Sequence, residues 1–142
     1  MASTGWTDEE RAAMKEHAAE LKRAGGKGAA KAAEEAQACL DKIAEMPDHD
    51  RALAERIHAL VTETAPALTV KTYYGMPAYA LDGKVLCFFK PAGKFKMRYA
   101  TLGFQDVAAL DDGNVWPTEY AVTELTATDE KKIRALVKTA IG

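Results

Sequence analysis

Apolar residues recur along this chain at two different periods, and the change falls near Pro66. On its N-terminal side the spacing is helical. Leu53, Ile57, Leu60 and Val61 follow the i, i+4, i+7, i+8 pattern of a buried face, which predicts a helix ending near Thr64 that Asp48 or Asp50 can cap. A helix over about 29–45 places Ala29, Ala32, Ala33, Ala36, Leu40 and Ile43 on one stripe with Cys39 beside it, and stops before Pro47. An earlier helix, over about 8–24, starts on the capping box Thr7-Asp8-Glu9-Glu10. Its apolar side is mainly Ala12, Ala13, Ala18, Ala19 and Leu21, too small to bury much area. It is therefore expected as a loosely docked appendage, supported by propensity and by charges such as Glu16, Glu20, Lys22 and Arg23 along its own surface. Gly25-Gly26-Lys27-Gly28 stops that helix and supplies a hinge, dividing an extension at 1–28 from a domain at 29–142.

Beyond Pro66 the residues are β-branched and aromatic, with turn signals between them. Asp82-Gly83 supplies the positive φ angles of a type I′ turn, so strands near 78–81 and 84–90 should pair antiparallel. Pro91-Ala92-Gly93 turns the chain again. Lys94 to Tyr99 then alternates charged and apolar residues, the pattern of a half-exposed strand with Lys94, Lys96 and Arg98 on one face. A short helix over 103–110, a strand over 119–125 and a final helix over 129–141 follow. Thr126 or Thr128 caps that last helix, and Ile133, Leu136, Val137, Ala140 and Ile141 form its buried side. Helices, then an antiparallel sheet, then a helix define an α+β fold with the helices on one face of the sheet and an extra helix at the N-terminus.

Length and composition narrow the class further. The chain has 142 residues, enough for one ordinary domain, and its 48% hydrophobic and 28% charged content exclude a disordered or collagen-like protein. No apolar run is long enough to cross a bilayer and the start of the chain is polar and acidic, so a soluble cytoplasmic protein without membrane partners is expected. Cys39 and Cys87 lie far apart and are expected as buried, reduced thiols. The net charge of −2 conceals an asymmetry: residues 1–65, 66–103 and 104–142 carry −4, +5 and −3. An acidic domain with one short basic segment is a poor nucleic-acid binder but suits a local anion-attracting face.

The most distinctive string is Thr72-Tyr73-Tyr74-Gly75-Met76-Pro77-Ala78-Tyr79, in which Gly75 permits a sharp kink and Pro77 holds Met76 extended. Together with the helix carrying Ala54, Ile57 and Leu60, with Pro66, with Gly83-Lys84-Val85-Leu86-Cys87-Phe88-Phe89 and with Lys94-Phe95-Lys96, it resembles the bacterial YdhG-like family of small proteins of unknown function. The resemblance covers roughly 43–141 and leaves out the N-terminal helix. It implies a frataxin-like α+β sandwich, and one member of the family looks like an intracellular iron chaperone serving cluster and haem assembly. Iron binding of that kind uses hard oxygen ligands on an acidic ridge. The nearest candidates here are Asp41, Glu45, Asp48 and Asp50, with His49 beside them and Glu55 one turn on. Iron-accepting assembly proteins would then be the partners.

A competing site lies on the basic segment. Lys94, Lys96 and Arg98 would grip a phosphate or carboxylate, and Tyr73, Tyr74, Tyr79 and Trp116 could line a ligand groove beside them. Signals for catalysis are absent. His17, His49 and His58 form no local metal motif, Cys87 sits in an apolar strand that would suppress its thiolate, and the glycine-rich loop at 25–28 lacks the strand and the Lys-Ser/Thr ending of a phosphate loop. The expectation is a non-enzymatic binding or carrier protein, in one of three forms: an iron carrier, a small-anion binder, or an interaction module using its N-terminal helix.

Overall fold

The computed structural model describes residues 7–23, without the side chains of Leu21, Lys22 and Arg23, and residues 28–142. The elements run α1 (Asp8–Arg23), α2 (Gly28–Ala44), α3 (Asp48–Thr64), β1 (Thr69–Tyr73), β2 (Met76–Leu81), β3 (Lys84–Lys90), β4 (Ala100–Phe104), β5 (Glu119–Val122) and α4 (Ala127–Ala140). The five strands form one antiparallel sheet in the order β1-β2-β3-β4-β5. The fold is therefore α+β, as expected, and no helix among the described residues is long and apolar enough to cross a membrane. Gly25, Gly26 and Lys27, where a hinge is expected, lie outside the described residues.

One face of the sheet carries the main core. Cys39 and Ile43 of α2, Leu53, Ile57, Leu60 and Val61 of α3, and Ile133 and Val137 of α4 close over Tyr79, Cys87, Phe89, Leu102 and Phe104. Hydrophobic transfer of side chains this size contributes on the order of 2 kcal/mol each, which is what holds three helices to the sheet. The opposite face carries a smaller cluster of Met76, Ala78 and Phe88, with Tyr73, Tyr74, Val85 and Phe95 packed around it. The register makes this possible, because Ala78 pairs with Phe88 and Phe88 with Gly103. A Cβ on Gly103 would run into the Phe88 ring, so the glycine is what lets that ring lie across β4.

Local signals fare well where they concern caps and turns. Thr7 and Glu10 exchange the two capping-box hydrogen bonds at 2.8 and 3.0 Å, and Thr126 does the same with Asp129 at α4. Asp82 and Gly83 both take positive φ in the hairpin between β2 and β3.

Four expectations are corrected. Residues 94–99 are not a strand: Lys96 has φ 54°, the Lys96 N–H returns to the Gly93 carbonyl and the Met97 N–H to the Ala92 carbonyl, winding the segment into turns. The strand lies at Ala100–Phe104, buried along its whole length and therefore showing no alternation to detect. No helix forms over 103–110. In α2 the inward positions are Glu35, Cys39 and Ile43, one residue round from the alanine stripe, which leaves Leu40 exposed. Neither Asp48 nor Asp50 caps α3: the residue at that position is Pro47, Asp48 pairs with Arg51 at 2.8 Å, and Asp50 turns inward.

Both cysteines are free and buried, and burial pushes each thiol up to about 12. Tyr79, also fully buried, has its hydroxyl 2.9 Å from His58 Nδ1. Burial lowers the His58 pKa below its ordinary 6.5. The Tyr79 hydroxyl can donate to or accept from Nδ1, so it is burial that favours the neutral ring. Above pH 6.5 both folded and unfolded chains hold it neutral. Below that, the unfolded chain takes up a proton that the folded chain resists, so stability falls with pH, by at most about 1.4 kcal/mol per pH unit for this one group. Urea unfolding at pH 7.5 and 5.0 should show a smaller acid loss in His58→Gln than in the parent chain.

Candidate functional site

The β1–β2 connection is a two-residue turn at Tyr74-Gly75, with Tyr73 paired to Met76. Both turn residues have positive φ, 53° and 76°, the type I′ geometry that suits the twist of a hairpin. Glycine adopts it freely, whereas for tyrosine it costs on the order of 1 kcal/mol. The turn presents two neighbouring backbone N–H groups on one side, and both are taken by α1. Tyr74 donates to Glu20 Oε1 at 2.8 Å and Gly75 to Glu20 Oε2 at 2.9 Å, so one carboxylate, 6% exposed, spans the turn.

The rest of α1 continues this attachment. His17 stacks on the Tyr74 ring with centroids 4.0 Å apart and rings 11° from parallel, meets Tyr73 edge-on, and places Nδ1 3.2 Å from Glu20. Glu16 lies between two ammonium groups, Lys94 Nζ and Lys42 Nζ, each 2.7 Å away. Burial works against its charge, but Lys42 and Lys94 outweigh that and hold the carboxyl below its ordinary value. Glu9 meets Lys96 at 3.2 Å. Far from hanging loose, α1 is tied to the sheet by its acidic side chains.

Between α1 and the second face of the sheet lies a hollow of about 520 Å³. Met76, Phe88, Phe95 and Tyr74 form its sheet side, Ala13, Met14, His17 and Ala18 its helix side. Lys90, Glu10 and Glu119 stand around it, and the Lys90 ammonium lies over the Phe95 ring, 5.0 Å from its centre. A smaller cleft of about 330 Å³ opens beside Glu16, Lys42, Gly75 and Lys94.

No family model, curated protein or solved structure matches the chain. The resemblance to the YdhG-like family thus rests on the quoted motifs alone.

The anticipated site residues are dispersed. Of the acidic set, Asp41 accepts from Gln37, Glu45 meets Lys42 at 3.7 Å, and His49 donates through Nε2 to the Thr123 carbonyl. Asp50, 4% exposed, accepts from the backbone N–H groups of Ala92 and Gly93, while Glu55 is exposed on α3. No three His, Cys, Asp or Glu side chains converge on a common point among the described residues. Of the basic and aromatic set, Tyr73, Tyr74, Lys94 and Lys96 do come together at α1. Arg98 instead lies over the Tyr99 ring, Tyr79 is locked in the main core, and Trp116 lines a separate shallow cleft with Leu110, Pro117 and Tyr120. Sequence reasoning set Lys90 beside the basic segment but passed over Glu16, His17, Glu20, Met76 and Phe88 as site residues. The spacing of Glu16 and Glu20 at i, i+4 with His17 between was the available signal, since it sets two carboxylates on one side of a helix.

Proposed function

We propose that this chain is a non-enzymatic binding protein whose ligand is a small, largely apolar molecule carrying one acidic group. The observation that carries this reading is the hollow under α1, walled by Met14, Tyr74, Met76, Phe88 and Phe95. Its volume is within the range of small-molecule pockets, and apolar walls with few polar groups are the usual composition of such sites. Lys90 supplies the cationic contact, in a lining that also holds Glu10 and Glu119. Unlike Lys42, Lys94 and Lys96, it forms no ion pair among the described residues, so its ammonium is available to an incoming carboxylate or sulfonate. The iron-carrier form draws no comparable support, because Asp50 is engaged by two backbone donors and the neighbouring acids point to separate partners.

Anilinonaphthalene sulfonate, an aromatic anion that fluoresces when shielded from water, is a direct probe. It should bind the folded chain with micromolar affinity, and Lys90→Ala should weaken binding roughly tenfold, the equivalent of one charge-assisted hydrogen bond. Ala18→Trp, which fills the hollow from its exposed helix wall, should abolish the signal, whereas Ala19→Trp on the next, non-lining position should not. Equal fluorescence from the parent and Ala18→Trp would sink the proposal.

A further inference from the structure

The contacts that hold α1 have the chemistry of a ligand complex. Two backbone N–H groups of the Tyr74-Gly75 turn converge on one carboxylate, and two ammonium groups, Lys42 from α2 and Lys94 from the loop after β3, converge on another. Successive backbone N–H groups of a turn form a concave donor pair of the kind that binds anions. Gly75 keeps the floor of this place open, because a Cβ there would collide with the Glu16 carboxylate and the Lys94 ammonium. Lys94 also reaches the Tyr74 carbonyl at 3.5 Å, which fixes it over the turn.

We propose that the surface beneath Glu16 and Glu20 is a binding site for a small molecule bearing two anionic groups, and that these two glutamates are its internal occupants. Two observations make the occupants replaceable. Among the described side chains of α1 the only buried apolar one is Ala13, and Met14 is 43% exposed, so little hydrophobic area resists displacement. The cleft of about 330 Å³ beside Glu16, Lys42, Gly75 and Lys94 gives an external anion a way in. A dianion that supplied both negative groups would satisfy the same four donors and release α1.

The inference stands apart from the apolar hollow but bears on it. The helix that would leave is one wall of that hollow, so occupancy of the two places is mutually antagonistic, and by linkage each ligand weakens the other by the same factor.

The test uses the full chain with Glu16→Ala and Glu20→Ala, which removes the occupants and leaves the main core untouched. Pyrophosphate and glutarate are titrated separately against a sodium chloride control of matched ionic strength, with the Tyr74 and Gly75 amide resonances as readout. At least one of them should bind the double variant about tenfold or more tighter than the parent chain, and adding Lys42→Ala and Lys94→Ala should erase the gain. The phosphate and carboxylate arms separate the two sources of such a dianion. Should the double variant fail to fold, the parent chain decides: millimolar pyrophosphate or glutarate should move the His17 ring signals as stacking on Tyr74 is lost. Equal affinity in parent and variant, shifts that avoid Tyr74 and Gly75, or an undisturbed His17 in the parent would overturn the proposal.

Discussion

Asp50→Ala is expected to destabilise the fold by about 2–4 kcal/mol, measured by urea unfolding, while Asp48→Ala, two residues away, changes it by less than about 0.5 kcal/mol. The two aspartates differ in what they hold. Asp48 is a surface residue in the first turn of α3, where its pair with Arg51 is screened by water. Asp50 is 4% exposed, and its two oxygens accept from Ala92 at 3.2 Å and Gly93 at 2.9 Å, 42 and 43 residues away. Alanine would remove the shared acceptor of both amides, of which Ala92 is half-buried and Gly93 exposed, so the cost is mainly the lost charge-assisted hydrogen bonds between α3 and the loop after β3. Asn is the informative intermediate: its single carbonyl oxygen can serve one amide, so Asp50→Asn should lose roughly half as much. If Asp50→Ala unfolded at the same urea concentration as Asp48→Ala, the tie between α3 and the loop after β3 would have no energetic weight.

The second large effect concerns glycine. Gly75→Ala should cost about 1–2 kcal/mol from its left-handed φ of 76° and, in addition, push the Glu16 and Lys94 side-chain ends apart and loosen α1. Gly83→Ala is the matched control, since Gly83 has φ 82° in the same type of turn but nothing near its missing Cβ, whereas at Gly75 the new methyl meets Glu16 and Lys94. Global stability should therefore drop in both variants. Only Gly75→Ala should make residues 7–23 the first to be cut by protease and the first to lose amide protection. The same protection of α1 in the two variants would show that Glu16 and Lys94 adjust around the methyl at no cost.

How much was visible beforehand depended on whether a residue's role is decided locally. Caps such as Thr7 with Glu10 and Thr126 with Asp129, and the Asp82-Gly83 turn, are settled within four residues, and they stand where the pattern put them. Leu53 to Val61 carried a strong period, and it too was legible. The failures share one cause. Lys94 to Tyr99 alternates as a strand should, yet it winds into turns, and the neighbouring Ala100–Phe104, buried along its length, pairs with β3 and takes the place in the sheet. The α2 stripe was displaced by one residue because alanines are too small to decide which way a helix turns, and Cys39 and Ile43 decided it instead. Glu16 and Glu20 looked like surface charges on a weak helix. Their partners, Lys94 and the Tyr74 and Gly75 amides, lie 78, 54 and 55 residues away, beyond any local pattern.

The sequential strand order has a kinetic consequence. Since every strand pairs with the one made just before it, the sheet from β1 to β5 can assemble by successive short closures, without waiting for any remote strand. The slow entropic step moves elsewhere. It becomes the arrival of α4 on α3, marked by the Arg56 to Glu130 pair 74 residues apart, which must wait until the whole meander between them has shortened the distance to be spanned.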